Sequence, residues 1–337
     1  MDEEIYPNQR RTADGDLMPG GGNPPPPRPA GQEDRMPGDK SYEEDLMPGA
    51  KASGGPSFFS KIKSEKWMLF ALMGLGGGVA GAFFAELAPG SASNDGAFAV
   101  AAKTGVWTAI AAAFMSVGLF SANDTYNRRK ISPGTVKRGA ISGAIGGFIA
   151  GLIAEGLFQA LRSGPSGVFK TLVVYAACWS VLGVILGFIF SRTVPNLGSI
   201  RGIAAGGIGG AGGGIGFVIV CYMLPDLFGR MVGIGTLGFS LGVAIVIIEA
   251  FFREAALEVV WAPNENTFMN LGAQPIYIGG GTSDEIFVRG LKERHASVVF
   301  DQGKIEYIDG TSGKRTPLKN ESNLQVGHIK LIVHAAK

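Results

Sequence analysis

From Trp67 to Phe252 the chain reads as six long apolar stretches, residues 67–87, 99–121, 139–161, 171–191, 200–224 and 231–252, separated by short polar connections. Each is long enough for the roughly 20 residues that a helix needs to cross the hydrocarbon of a bilayer. One proline falls in each connection (Pro89, Pro133, Pro165, Pro195, Pro225), where a residue that cannot continue a helix belongs. After Phe252 the apolar spacing shifts to period two. Runs at 257–261, 267–271, 275–278, 285–288, 296–300, 304–308 and 329–334 alternate with Asn, Gly and Asp turns. That pattern predicts a small all-β sandwich, with Asp301-Gln302-Gly303 as a hairpin turn.

The first 60 residues follow neither pattern. They hold ten of the eighteen prolines and few aliphatic side chains, so they cannot bury enough apolar surface to offset chain entropy and are expected to be disordered. Asp16-Leu17-Met18-Pro19-Gly20 returns as Asp45-Leu46-Met47-Pro48-Gly49, with a variant at Asp34-Arg35-Met36-Pro37-Gly38. Two readings stand: compositional drift in a low-complexity tail, or a short motif repeated so that a partner binds with avidity. The predicted organisation is a tail over 1–60, a polytopic six-helix membrane bundle over 61–253 and a β-sandwich over 256–337.

Charge orients the bundle. Lys61, Lys63 and Lys66 precede the first span, and Arg128, Arg129, Lys130, Lys137 and Arg138 fill the second connection. Arg192 and Arg201 flank the fourth, and Arg253 follows the sixth. Positive residues stay on the cytoplasmic side, so both termini are expected in the cytoplasm and the chain in an inner, cytoplasmic membrane.

Glycine changes the picture further, at 53 of 337 residues. Within lipid, helices gain little from hydrophobicity when they associate, and small residues four apart let backbones approach. Gly139, Gly143, Gly147 and Gly151 make such a ridge, as do Gly202, Gly206, Gly210 and Gly214. A shift of 69 residues puts Gly74, Gly77, Gly78 and Glu86 on Gly143, Gly146, Gly147 and Glu155. A shift of 63 puts Arg138-Gly139, Gly143, Gly146 and Gly147 on Arg201-Gly202, Gly206, Gly209 and Gly210, and Lys103-Thr104 falls on Lys170-Thr171. The spans therefore read as three copies of one helical hairpin.

Candidate chemistry is sparse. A net charge of +2 without an aromatic-basic stripe gives no case for nucleic acid. Cys178 and Cys221 sit in apolar runs as small core residues, and no metal or other cofactor is expected. Gly207 to Gly212 fits a dinucleotide fingerprint, but inside an apolar span with no preceding strand, so it reads as packing. The ionisable residues within spans are Glu86, Lys103, Glu155 and Glu249. Glu86 and Lys103 lie near span ends and Glu249 within a turn of the cytoplasmic surface, so Glu155 is the intramembrane candidate.

In the C-terminal region, Ile278-Gly279 resembles the start of the Ile-Gly-Arg signature of forkhead-associated (FHA) domains. His295-Ala296-Ser297-Val298 falls where that family has Ser-x-x-His and the following strand. Tyr307-Ile308-Asp309, Gly313, Leu324, Gly327 and Ile329 continue the order of landmarks. The resemblance implies a sandwich that binds phosphothreonine through its loops. It also implies that the phosphate contacts have changed: Gly280 stands for the family's arginine, Lys292 for its serine and Ser312 for the asparagine before Gly313. Lys292, Arg294, Lys314 and Arg315 could supply charge or be simply solvated. A degenerate FHA-like domain used for protein contact is expected, with phosphothreonine reading as the other possibility.

The functional expectation is a non-enzymatic membrane scaffold, recruiting protein partners through the FHA-like loops (Gly280, Lys292, Arg294, His295, Ser312, Gly313, Lys314, Arg315) and the tail, in a signalling or secretion assembly. The alternative is a channel or transporter with the sandwich as its regulatory domain. A third idea is self-inhibition, in which Thr12, after Arg10-Arg11, is phosphorylated and docks on the sandwich. Exposed glycine ridges also leave room for a homo-oligomer.

Overall fold

A computed structural model of the chain describes residues 65–335, apart from residues 89, 91, 93, 94, 165, 166, 263 and 264. The expectations placed on the tail, including Thr12, the repeated motif and the lysines before Glu65, lie outside the described residues, as do Pro89 and Pro165. Among the described residues six helices follow in order: α1 (Lys66–Ala85), α2 (Ala97–Tyr126), α3 (Pro133–Leu161), α4 (Val168–Ser191), α5 (Ser199–Met223) and α6 (Asp226–Phe251). All six are long and apolar enough to cross a membrane. Each packs on its chain neighbours, and α6 closes the ring on α1, while α3 and α4 touch least.

Three helices overrun the predicted apolar stretches by five residues or more, α6 by starting at Asp226 instead of residue 231. α2 continues through the polar run Ser121 to Tyr126, and α3 begins at Pro133 instead of residue 139. Pro133 is not a break in a connection but the first residue of a helix, where its missing N–H costs nothing. Ser132 caps that helix by accepting from the Thr135 N–H at 3.0 Å, and the Thr135 hydroxyl donates to Asp124 at 2.6 Å. Hydrophobicity alone marks only the length within lipid, so these hydrogen-bonded extensions fall outside it.

The bundle packs backbone to backbone. A Cβ placed on Gly143 or Gly147 of α3 would lie 2.6 Å from the Ala112 carbonyl and 2.7 Å from that of Thr108 in α2. Gly74 and Gly78 of α1 meet the carbonyls of Gly238 and Ile234 in α6, and Gly206 and Gly210 of α5 meet those of Gly183 and Trp179 in α4. The opposite face of α3 leaves Ile141, Ile145, Ile149 and Ile153 exposed. Such a stripe is out of place in water and suits lipid.

The C-terminal region forms two sheets, β2-β1-β9-β8 and β4-β3-β5-β6-β7. The strands are β1 (Ala255–Ala262), β2 (Glu265–Leu271), β3 (Ile276–Gly279), β4 (Ile286–Phe287), β5 (Ala296–Asp301), β6 (Lys304–Asp309), β7 (Arg315–Leu318), β8 (Asn323–Val326) and β9 (Ile329–Ala335). Leu257, Ile278, Val298 and Leu331 from both sheets meet in one apolar core. Gln302 and Gly303 both take positive φ in a two-residue turn joining β5 to β6, the geometry that matches the twist of a hairpin. Seven strands were expected, and nine form among the described residues. The two extra ones, β7 and β8, are four-residue edge strands; β7 is largely exposed and contains Pro317, and β8 sends only Leu324 and Val326 toward the core. Edges are where proline and charge are tolerated, and strands this short give too few positions for a pattern to read.

Candidate functional site

The three chemical regions are a cavity in the bundle, the sandwich loops and the junction between bundle and sandwich. The cavity holds about 220 Å³ and lies between α2, α3 and α4, where α3 and α4 pack least. Gly147 and Gly151 draw α3 onto α2, and Ala150 and Ala154 leave room on the side toward α4. Its walls are Thr104 and Thr108 of α2, Glu155 and Phe158 of α3, and Tyr175, Cys178 and Trp179 of α4. Phe158 meets Tyr175 edge-on with centroids 5.9 Å apart.

Glu155 is the polar centre of this space. Its carboxylate accepts from the Thr104 hydroxyl at 3.1 Å and from the Gln159 amide at 2.7 Å. The other three ionisable residues that the sequence places in spans each have a charged partner. Glu86 pairs with Arg230 at 2.9 Å, Lys103 with Asp95 at 2.7 Å, and Glu249 with Lys66. No salt bridge reaches Glu155 among the described residues. The sequence singled out Glu155 but not Thr104, Tyr175 or Trp179. Nothing in an apolar run distinguishes a wall residue from a packing residue.

Glu249 departs from expectation. It does not reach the surface but is 3 % exposed, and its second oxygen has no hydrogen-bond partner in the structure. Its cation is Lys66, one of the lysines read from the sequence as an orienting charge. Lys66 also lies over the rings of Tyr126 and Phe70.

The sandwich loops do converge. The Gly280 N–H donates to the Lys292 carbonyl at 3.0 Å, and the Gly310 N–H to that of His295 at 2.9 Å. Asp284, fully buried and missed in the sequence, ties the loops by accepting from the N–H groups of Gly281 and Arg294. Gly280 packs against the Leu291 carbonyl so closely that no side chain fits there. Arg294 lies over the Tyr277 ring at 4.9 Å, and Arg315 pairs with Glu306 at 3.2 Å. Lys292, Ser312, Gly313 and Lys314 are exposed, with Gly313 in the left-handed region. Asp309 accepts from the Ser312 N–H at 2.8 Å and the Thr311 N–H at 2.7 Å, and those bonds hold its carboxyl below the usual range. The backbone donors of this turn therefore already serve an internal anion.

The junction is polar. Phe268 N–H donates to the Tyr126 hydroxyl at 2.9 Å, and Asn196 donates to the carbonyls of Asn270 and Gln274 while accepting from the Gln274 N–H. Arg253 reaches Asn270, Arg128 pairs with Glu265, and Arg129 donates to the Thr282 carbonyl. Both basic connections thus grip the sandwich, and one of its loops, at Thr282, lies against the bundle.

Comparison of the chain with known protein families, with curated proteins and with solved structures finds no match.

Proposed function

We propose that this protein is a multi-pass scaffold of an inner membrane, with both termini cytoplasmic, that presents a degenerate FHA-like domain to protein partners without catalysing a reaction. The observation that carries this reading is the junction. Asn196, Arg128, Arg129 and Arg253, from both basic connections and the end of α6, hold the sandwich in one orientation. A tethered regulatory domain has no need of so many fixed contacts, whereas a platform does. Phosphothreonine reading is the weaker form, because Gly280 leaves no space for an arginine and Asp309 already occupies its turn's donors. The test is capture by the full-length protein in native membranes, compared between the parent and a Lys292→Glu, Lys314→Glu double variant. Partners lost from the variant and retained after removal of residues 1–60 support the loops as the recruiting surface. A partner set unchanged by both alterations ends the scaffold reading. Titration of the full-length protein with tail peptides phosphorylated or plain at Thr12 tests self-docking, and equal affinities exclude it.

The bundle itself we read as three copies of one hairpin. Gly74, Gly143 and Gly206, which the sequence shifts superpose, each contact the preceding helix of the ring. Gly77, Gly146 and Gly209 each contact the following one. A second functional reading, transport, is favoured by Glu155, a carboxylate in a span with hydrogen-bond donors but no charge partner among the described residues. Flux into proteoliposomes that falls on Glu155→Gln would support transport, and equal flux in parent and variant would end it.

A further inference from the structure

Three helix interfaces in the bundle can be compared position by position. At the α6–α1 interface Gly238 packs on Gly74. Arg230 lies about two turns before Gly238, Glu86 about three turns after Gly74, and the two form an ion pair. At the α2–α3 interface Ala112 packs on Gly143, and the same offsets lead to Thr104 and Glu155, which are hydrogen-bonded. At the α4–α5 interface Gly183 packs on Gly206, and they lead to Tyr175 and Val218, both lining a second cavity of about 170 Å³. One interface thus holds a neutralised glutamate, one holds neither charge, and the middle one holds the glutamate without the arginine.

Where the arginine is missing there is space. The 220 Å³ cavity exceeds the roughly 150 Å³ that admits a benzene ring and falls short of the roughly 300 Å³ where drug-sized sites begin. Its walls offer one carboxylate, the Thr104 and Thr108 hydroxyls, the aromatic side chains of Phe158, Tyr175 and Trp179, and no basic side chain. Lys103, adjacent to Thr104, is held by Asp95 and the Gly90 carbonyl. One carboxylate with two threonine hydroxyls, one donating to that carboxylate and the other to the Thr104 carbonyl, does not make the oxygen cage that calcium or magnesium requires. A carboxylate beside aromatic side chains suits an organic ammonium ion, which the carboxylate pairs and the rings attract.

We propose that this cavity binds a small organic ammonium ion, of one ring or a short branched chain, whose charge takes at Glu155 the place that Arg230 takes at Glu86. The proposal deepens the transport reading by naming the ligand class of its site, but it needs only binding. The shared chemistry, an alkylated or primary ammonium, could arrive as a soluble amine or as the headgroup of an aminophospholipid.

The test is calorimetric titration of the full-length protein in phosphatidylglycerol nanodiscs, corrected for empty discs. The probes are benzyltrimethylammonium and its uncharged isostere neopentylbenzene. The expected result is saturable one-to-one binding of the cation, at least tenfold tighter than the isostere. Glu155→Gln should bring the two affinities together. Thr104→Arg, which supplies the internal cation found at the α6–α1 interface, should abolish cation binding while the thermal transition is kept. Discs containing phosphatidylethanolamine that weaken the probe tenfold would assign the site to a headgroup, and unchanged affinity would assign it to a soluble amine. Equal affinity for cation and isostere in the parent, or cation binding indifferent to Glu155→Gln, overturns the proposal. Intact binding without Glu155-dependent flux would instead remove transport and leave the site standing.

Discussion

In the helical bundle the closest contacts are backbone against backbone, with glycines of α1, α3 and α5 laid on carbonyls of the neighbouring helices, whereas in the sandwich side chains such as Leu257, Ile278, Val298 and Leu331 interlock. The difference follows the solvent. Lipid is as apolar as leucine, so helices within it cohere through close approach and dispersion. The sandwich, in contact with water, gains from removing apolar area. The two regions should therefore fail in opposite ways, the bundle by adding a methyl group and the sandwich by deleting one.

The largest effect is expected at Gly206. Its Cα faces the Gly183 carbonyl and Gly183 in turn faces its own, so any Cβ there must push α5 off α4. Gly206→Val should abolish recovery of monodisperse protein in detergent, read by size-exclusion chromatography. Recovery equal to the parent would break the comparison, because it would mean that the glycine contacts are incidental.

Next comes the sandwich core. Ile278 is fully buried on β3 and paired with Ala296. Ile278→Ala should cost about 2–5 kcal/mol through lost burial and the cavity left behind. Hydrogen exchange on the full-length protein should show faster exchange in β1–β9 while α1–α6 keep their protection. Loosening of both regions together would show that the junction couples them into one cooperative unit.

These contrasts were only partly legible in the sequence. Span number and the Gln302-Gly303 hairpin could be read, because lipid thickness and turn geometry act on residue type directly. The ridge glycines could be seen, but not which helix each would meet, since Gly74 reaching Gly238 is a fact of ring closure. Edge strand β7 carried no alternation to betray it, and β8 alternates through Leu324 and Val326 over only four residues, too short a run to stand out. Glu155 stood out as a charge in an apolar run. Its lack of a counter-ion among the described residues emerged only when Glu86, Lys103 and Glu249 proved to have theirs. Asp284 was invisible among the loop's polar residues, although burial makes it the peg that joins Gly281 to Arg294.

A smaller effect is expected on the open face of the four-stranded sheet, where Glu258 accepts from His334 at 2.7 Å and from Asn266 at 2.6 Å. Burial pulls its pKa up, but the Asn266 and His334 bonds outweigh it and the net shift is downward. A carboxyl depressed on folding stabilises at pH above its unfolded value and loses that contribution as pH falls through its folded one. Glu258→Gln should lower the Tm of the full-length protein by the equivalent of less than about 1 kcal/mol near pH 6. The gap should close below about pH 4, past the usual range for glutamate. A gap that persists or widens in acid would place the effect in packing instead of charge.

The smallest effect sharpens the comparison most, because it keeps the residue type and changes only what faces it. Gly156 lies in α3, one turn beyond Gly151, yet a Cβ there would meet nothing within 4 Å. If glycine in this bundle serves only where another backbone approaches, Gly156→Ala should lose nothing. It should gain at most about 1 kcal/mol from the backbone freedom that alanine removes. Thermal unfolding in nanodiscs, compared with Gly151→Ala at a position where a Cβ would lie 2.8 Å from the Gly105 Cα, isolates the term. Stabilisation at residue 156 with destabilisation at residue 151 ties the glycine requirement to helix contact. Loss at both positions would mean that α3 needs glycine for bending or for a partner on its outer face, and the backbone-contact account of the bundle would then be incomplete.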